Sequence, residues 1–380
     1  MSIHRIGTIF LAAIIVATSA SEDRSFQVNV LQLNTWLIPV RPDFPHCLDF
    51  QAQPRARRMT SWLTKHLKEK KIDVAIFQEL WTPRSSLTAR GVNVVFGGLS
   101  GLFGRHIIEK ALRAIEFGYT NVVGSNTFSF SRRLLDSGLM IASRLPILEQ
   151  AFTMYPMAST VDSFSSKGIL VAALRRPDNT IVIVSSTHLD AEAPEELKIE
   201  QLGIAIEFVG EFTARVIKKF DIPIAARIFA GDLNIDGSKF WSDSNSYATA
   251  RQLLEAKGFV DSWHLTSRST PSAREILLGE FTPDSHPELG ITSDQNNGSK
   301  RLDYIWAAAS PGFTLKAETE LNDGKEWRTD SEMHAKVEAA KEKWDAILSR
   351  MLALEADLLD RRTLISDHAA LFAKLFFSPK

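Results

Sequence analysis

The amino-acid sequence predicts an α/β fold with a core of two sheet layers and helices on the outside. Short apolar strand-like stretches alternate with longer amphipathic stretches along the 380 residues. Strands dominate, and the sequence contains no repeats or low-complexity tracts. With 44% hydrophobic and 23% charged residues, the composition is that of an ordinary globular protein.

The first twenty residues, MSIHRIGTIFLAAIIVATSA, have the pattern of a secretory signal peptide. Arg5 precedes an apolar run from Ile6 to Val16, and small residues lead to an expected cleavage site near Ala20. The apolar run is shorter than the about 20 residues that a membrane-spanning helix needs. The sequence therefore predicts a secreted or periplasmic protein.

The predicted elements follow in chain order. A strand at FQVNVLQLNTW precedes a helix at RARRMTSWLTKHLKEK and a second strand at DVAIFQELW. Three more strands follow, at SGLMIASRLP, KGILVAALRR and TIVIVSSTHLD. PEELKIEQLGIAIEFVGEFTARVIKKF is a predicted long helix, because Pro194 stands near its start and acidic residues fill its first turn. The last predicted strands are IFAGDLN, RLDYIWAAA and SDHAALFAKLFF.

Two further segments resemble helical insertions. Residues 97–118 carry apolar side chains at a spacing of four, at Phe103, Ile107, Ala111 and Ile115. Residues 325–362 carry them at a spacing of seven, at Val337, Trp344, Met351 and Leu358. The second pattern predicts a single amphipathic helix of about three heptads.

Polar side chains stand at the edges of six apolar strands. They are Asn34, Glu79, His188, Asp232 with Asn234, Asp303, and Asp367 with His368. One such case would be an ordinary turn, where Asp, Asn and Gly are common. Six cases predict a single convergent site, since catalytic groups are usually held at the ends of rigid elements.

The residue types at these strand ends favour metal-assisted hydrolysis of a phosphate ester. Mg²⁺ prefers oxygen ligands and is usually held by one or two carboxylates plus substrate phosphate. A zinc site would need clustered His or Cys, and Cys47 is the only cysteine, which also excludes an intramolecular disulfide. Two histidines, with an acid available to orient one of them, fit general base and general acid roles. The net charge of −1 gives no support to a nucleic-acid-binding surface.

Seven motifs occur in the order expected of the endonuclease/exonuclease/phosphatase superfamily. They are LNTW, QELW, SGLMIASRLPI, STHLDAE, GDLN, LDYI and SDHAAL. Within that superfamily the chain most closely resembles the neutral, magnesium-dependent sphingomyelinases. LNTWLIPV followed by RARRM, then SSKGIL, then THLDAE resemble segments of those enzymes. The likeness spans about residues 28–310 and 364–377.

The resemblance implies a four-layer α/β sandwich of two packed, mainly antiparallel sheets flanked by helices. One catalytic domain would span residues 26–380, with insertions at 97–118 and 325–362. The implied cofactor is Mg²⁺, with Mn²⁺ or Co²⁺ as substitutes. Glu79 would bind the metal, with Asn34 beside it and Asp367 nearby.

The same resemblance implies roles for the remaining strand-end residues. Asp232 and Asn234 would contact the scissile phosphate and position the attacking water. His368 would be the general base, oriented by Asp303. His188 would contact the phosphate and help the leaving oxygen, and Lys167 would neutralise phosphate charge.

The implied reaction is the hydrolysis of sphingomyelin to ceramide and phosphocholine. The secreted bacterial relatives place a short aromatic-tipped hairpin before the SDH segment, where this chain has residues 325–362. Either 325–362 or 97–118 would give peripheral contact with the membrane that carries the sphingolipid. No stable nucleic-acid partner is expected.

Three alternatives remain open at this point. A secreted DNase-like nuclease would share the catalytic residues, although the near-neutral charge and the SSKG segment count against it. An inositol-phosphate phosphatase is a weaker alternative. A non-catalytic toxin subunit or binding module would be free to lose Glu79, His188, Asp232 or His368, and all four are present.

Overall fold

The computed structural model describes residues 25–35, 37, 52–81, 105–121, 137–159, 165–238, 246–266, 300–322, 368 and 370–380. The predicted signal peptide, Asp367 and the predicted 325–362 helix lie outside these residues. Within them, the chain forms twelve strands in two six-stranded sheets, together with five helices. None of the helices among the described residues is both long and apolar enough to span a membrane.

The first sheet combines strands from both ends of the chain. Its strands are β1 (Phe26–Asn34), β2 (Val74–Gln78), β3 (Gly118–Asn121), β4 (Met140–Ser143), β11 (Phe313–Asn322) and β12 (Ala370–Pro379). Their order across the sheet is β11-β12-β1-β2-β4-β3. Strands β1 and β2 are parallel, and every other neighbouring pair is antiparallel.

The second sheet is built from the middle of the chain. Its strands are β5 (Ile147–Met154), β6 (Gly168–Arg175), β7 (Ile181–His188), β8 (Ile224–Asp232), β9 (Val260–Asp261) and β10 (Asp303–Ala309). Their order is β5-β6-β7-β8-β10-β9, and only β7 and β8 are parallel.

The two sheets pack face to face, and helices cover both outer faces. The inner core joins residues of both sheets, such as Val30 of β1 and Ile228 of β8. Helices α1 (Ala52–Glu69) and α2 (Arg105–Ala114) bury their apolar sides against the first sheet. Helices α3 (Glu195–Phe220) and α4 (Ser246–Glu255) do the same on the second sheet, while α5 (Ser262–Leu265) is a single turn. The expected four-layer sandwich of mainly antiparallel sheets is therefore confirmed.

The predicted 97–118 insertion falls partly within the described residues. Its helix extends over Arg105–Ala114, where Ile108 and Leu112 are buried in the core of the first sheet. Gly118 already begins β3, which pairs with β4. The described part of this segment is thus integrated into the sandwich.

The two parallel pairs create the site. In each pair the carboxyl ends of neighbouring strands point in one direction. Asn34 pairs with Gln78 at the end of β1 and β2, and His188 pairs with Asp232 at the end of β7 and β8. Asp303 starts the antiparallel β10 directly opposite Asp232. Packing of the sheets brings these strand ends to one edge of the molecule.

Candidate active site

Glu79, Asn34 and Asp232 form a buried group of oxygen-bearing side chains. Glu79 directly follows β2 and takes a φ of 59°, a left-handed conformation that few non-glycine residues adopt. Asn34 Nδ2 donates to Glu79 Oε1 at 2.8 Å and to Asp232 Oδ2 at 3.0 Å. A single amide thus links two carboxylates that belong to different sheets.

Asp232 has a shifted acidity because of its surroundings. Burial, and then the negative charge of Asp303, raise the pKa of Asp232 to about 6, although His368, Asn34 and the backbone N–H of Asn234 oppose the shift. That N–H donates to Asp232 Oδ1 at 2.8 Å, and Asn234 has a φ of 51°. The turn after β8 therefore fixes the carboxylate within the group of acids.

His188 and Lys167 lie next to the same carboxylates. His188 Nε2 is 3.9 Å from Glu79 Oε1 and 3.7 Å from Asp232 Oδ2. Lys167 Nζ is 3.2 Å from His188 Nε2 and donates to the Leu189 carbonyl at 2.9 Å. Burial, and then the charges of Lys167 and His368, hold the pKa of His188 well below its usual range. These surroundings favour the neutral form of the His188 imidazole.

His368 and Asp303 form a pair across the two sheets. His368 Nδ1 lies 2.6 Å from Asp303 Oδ2, and His368 Nε2 lies 3.8 Å from Asp232 Oδ2. A carboxylate at Nδ1 orients the ring and leaves Nε2 available for proton transfer. This is the geometry of a general base that faces Asp232.

A chain of buried amides supports Asp303. Gln32 Nε2 donates to Asp303 Oδ1 and to Gln78 Oε1, both at 2.8 Å, and Gln78 Nε2 donates to Ser186 Oγ at 3.1 Å. Gln32 and Gln78 were not among the residues predicted from the sequence. The available signal was a glutamine in the buried part of β1 and another at the end of the buried β2, because a buried polar side chain must find a partner.

Nearly all predicted site residues come together at this edge. Asn34, Glu79, Lys167, His188, Asp232, Asp303 and His368 are buried and connected by the contacts above. Asn234 contacts the same turn, since its Nδ2 donates to the Leu189 carbonyl at 3.0 Å. Asp367 lies outside the described residues, so its expected place near the metal remains a prediction.

The donor set fits a hard divalent cation. Ligand atoms of Glu79, His188 and Asp232 lie within 4.8 Å of one another, as do those of Asp232, Asp303 and His368. Burial and the charge of Asp303 raise the pKa of Asp232, and a cation beside this carboxylate would favour its charged form. Oxygen ligands from one or two carboxylates are typical of Mg²⁺ sites. Glu79, with Asn34 beside it and Asp232 opposite, would hold such an ion.

The chain is a four-layer sandwich of two sheets, and its acids, amides and histidines meet at one edge. This combination of fold and site is that of a phosphate-ester hydrolase. The chain belongs to the endonuclease/exonuclease/phosphatase family, whose family model matches residues 31–368. That match includes every described residue of the site and all of the second sheet, while β12 of the first sheet follows it.

Individual relatives are similar at modest identity. Sphingomyelin phosphodiesterase 5 of Mus musculus is 29% identical over 213 residues, which cover 50% of this chain and 44% of that protein. A sphingomyelinase of Dictyostelium discoideum is 26% identical over 250 residues, which cover 53% of each protein. The chain thus spans about half the length of the curated relatives it matches.

A solved structure shares the fold. Sphingomyelinase C from Streptomyces griseocarneus aligns with a TM-score of 0.50 at 17% identity, over 92% of this chain and 99% of that chain. At this identity the likeness concerns the fold alone.

Proposed function

We propose that the protein is a secreted, Mg²⁺-dependent phosphodiesterase that hydrolyses sphingomyelin to ceramide and phosphocholine. One observation carries the proposal: Asn34, which also binds Glu79, and His368, which is paired with Asp303, both approach Asp232 Oδ2. A base and a candidate cation site thus flank one point, as hydrolysis of a phosphodiester requires.

The residues have separate tasks in this proposal. His368 Nε2 removes a proton from the attacking water, and Asp303 holds the ring and stabilises the imidazolium that forms. Asp232 and Asn234 orient the water and the phosphate. A divalent cation held by Glu79, with Asn34 beside it, would supply stabilisation of the negative charge that develops during hydrolysis.

Lys167 and His188 form a second pair beside Asp232, since His188 Nε2 lies 3.7 Å from the Oδ2 atom that His368 Nε2 also approaches. The Lys167 ammonium lies beside the neutral His188 ring, so one cation and one imidazole are available to the phosphate. Both are buried, where electrostatic interactions with a phosphate are less screened by water than at the surface. We assign them to phosphate binding and to support of the leaving oxygen.

The choice of sphingomyelin rests on the relatives and on the Ser165–Gly168 segment. Two relatives named as sphingomyelin-hydrolysing enzymes align with about half of this chain. Secretion rests on the pattern of residues 1–20 alone. A nuclease is the second candidate because it would use the same catalytic groups, but the net charge of −1 offers no general attraction to a polyanion.

A comparison of substrates tests the proposal. The purified protein is given sphingomyelin, phosphatidylcholine and plasmid DNA side by side, with Mg²⁺, Mn²⁺, Co²⁺ or a chelator. We expect phosphocholine release from sphingomyelin with the divalent cations and none with chelator. Rapid plasmid nicking without phosphocholine release would instead establish the nuclease, and full turnover in excess chelator would refute the metal requirement.

A further inference from the structure

The peptide bond between Leu189 and Asp190 is held from both of its sides. Its carbonyl oxygen accepts hydrogen bonds from Lys167 Nζ at 2.9 Å and from Asn234 Nδ2 at 3.0 Å. Its N–H donates to Gln201 Oε1 of α3 at 3.0 Å. Because a peptide unit is planar, the direction of the N–H fixes the direction of the carbonyl. The hydrogen bond to Gln201 therefore fixes the direction of the Leu189 carbonyl, which accepts from both Lys167 and Asn234.

The carboxylate of Asp190 is fully buried and occupied by donors. Asp190 Oδ2 accepts from the backbone N–H of Ser159 at 2.5 Å, and Oδ1 accepts from Ser159 Oγ at 2.8 Å. Oδ1 also accepts from the N–H of Glu192 at 3.1 Å. With these donors Asp190 is suited to holding loops together rather than to contacting a substrate.

The same two side chains fasten the connection between β5 and β6. Asp190 binds Ser159 in that connection, and Gln201 Nε2 donates to the Met157 carbonyl at 2.9 Å. The connection ends in Lys167, whose carbonyl accepts from the N–H of Tyr155 at 3.0 Å. The described part of this connection is thus closed at its base by Tyr155 and Lys167, and it is bound to the turn after β7 through Asp190 and to α3 through Gln201.

We propose that Asp190 and Gln201 are positioning residues for phosphate binding. They hold the Leu189–Asp190 peptide so that the Lys167 ammonium and the Asn234 amide are aligned beside His188 and Asp232. Neither residue touches the substrate, and both act through Lys167 and Asn234. The inference rests on the proposed function for its catalytic consequence, but the alignment of Lys167 can be measured without any substrate.

Chemical labelling of Lys167 is the first test. Acetic anhydride modifies accessible amines, and mass spectrometry gives the rate at Lys167, which is 4% exposed in the structure. Loss of a hydrogen bond worth about 1 kcal/mol predicts a rise of roughly five- to tenfold in Asp190→Asn and Gln201→Met. Asp178→Asn is the matched control, because Asp178 lies in the exposed turn between β6 and β7, away from Lys167. Like Asp190 with Ser159, Asp178 accepts from the hydroxyl and the backbone N–H of a single residue, Thr180. Its labelling should equal that of the wild type.

A double-mutant cycle is the second test. Hydrolysis is measured for Asp190→Asn and Gln201→Met, each in the wild-type and in the Lys167→Ala background. We expect kcat to fall by about tenfold in the wild-type background and by clearly less without Lys167, where only the effect through Asn234 is left, because interacting residues are not additive. Ser159→Ala removes only the hydrogen bond from the Ser159 hydroxyl to Asp190. This variant replaces Asp190→Asn in the cycle if Asp190→Asn does not fold.

The outcomes separate the two proposals. Unchanged Lys167 labelling, or equal losses of kcat in both backgrounds, would overturn the positioning role. If the wild type released no phosphocholine from sphingomyelin, the proposed function would fail, while the labelling rates would still decide on Asp190 and Gln201.

Discussion

His368 is the residue whose environment specifies one chemical task. Its Nδ1 is held by Asp303 and its Nε2 faces Asp232. We expect His368→Ala to lower kcat by about 10²-fold or more, because the general base is lost. Asp303→Asn should act in the same direction but less, since Asp303 orients the ring. Steady-state hydrolysis by both variants is the measurement, and near wild-type turnover by His368→Ala would show that the base lies elsewhere.

Arg301, two residues before Asp303 in the sequence, forms a fully buried ion pair with Asp261. Arg301 Nη2 and the Tyr247 hydroxyl both bind Asp261 Oδ2. Burial alone would raise the pKa of Asp261, but the Arg301 guanidinium and these hydrogen bonds hold it below its usual range. A carboxylate with a lowered pKa stabilises the fold above its unfolded pKa of about 3.9 and loses that contribution as the pH falls through the folded value.

The pair therefore predicts a pH-dependent loss of stability. Asp261→Asn should cost about 3–5 kcal/mol at pH 7, because it leaves the buried guanidinium uncompensated. The difference from wild type should shrink as the pH falls below about 3.9, where the unfolded wild type takes up a proton at Asp261 and the folded wild type does so only at lower pH. Urea unfolding between pH 7 and pH 3 measures it. Asp178→Asn, which removes the exposed partner of the half-buried Arg176, should change stability by less than about 1 kcal/mol.

At the scale of elements, the parallel contact between β7 and β8 places His188 beside Asp232. Gly231 lies one residue before Asp232 with a φ of 150°, and a Cβ atom there would lie 2.0 Å from the Thr187 carbonyl oxygen. Gly231→Ala must therefore push the two strands apart next to the site. We expect a loss of both thermal stability and kcat. Gly210→Ala, in α3 with open space around it, should instead stabilise by about 0.5–1 kcal/mol and leave kcat unchanged. Wild-type activity in Gly231→Ala would show that the strand contact tolerates the shift.

The sequence was most informative where a strand is buried and ends in a polar residue. β1, β2, β7, β8 and β10 were predicted because each has a continuous or alternating apolar run. β5 was missed, since ILEQAFTM mixes polar and apolar residues without a clean period and lies at the edge of its sheet. β11, with FTLKAETELN, is another edge strand, and its Glu318 pairs with Lys374 of β12. Edge strands are half solvated, so their patterns are weak.

The same limit explains what was missed at the site. A list of strand-end residues predicts that polar groups converge, but not which of them pair. That Gln32 supports Asp303, and that Asp190 and Gln201 hold one peptide, depends on how the two sheets and α3 pack. Such long-range contacts have no local signature beyond a polar residue in an apolar run.

At the scale of the whole molecule, the site joins the two sheets. Asn34 of the first sheet binds Asp232 of the second, Gln32 binds Asp303, and His368 binds Asp303. Glu79 and Asp232 belong to different sheets and bring like charges close together in a buried space. A cation held between them would relieve this repulsion and would strengthen the packing of one sheet on the other.

This arrangement predicts that Mg²⁺ stabilises the entire fold. A ligand that binds only the folded state adds about 2.7 kcal/mol at a hundred times its dissociation constant. We expect the thermal midpoint of the wild type to rise with Mg²⁺ and to fall back with chelator. Glu79→Gln should remove most of that rise, and its midpoint in chelator should equal or exceed that of the wild type, because one of two repelling carboxylates is gone. Differential scanning calorimetry measures both. Glu318→Gln, on the exposed edge strand β11, is the matched control and should keep the full response to Mg²⁺. An equal Mg²⁺ response in Glu79→Gln and wild type would place the cation elsewhere, and no response in either would contradict a metal site between the sheets.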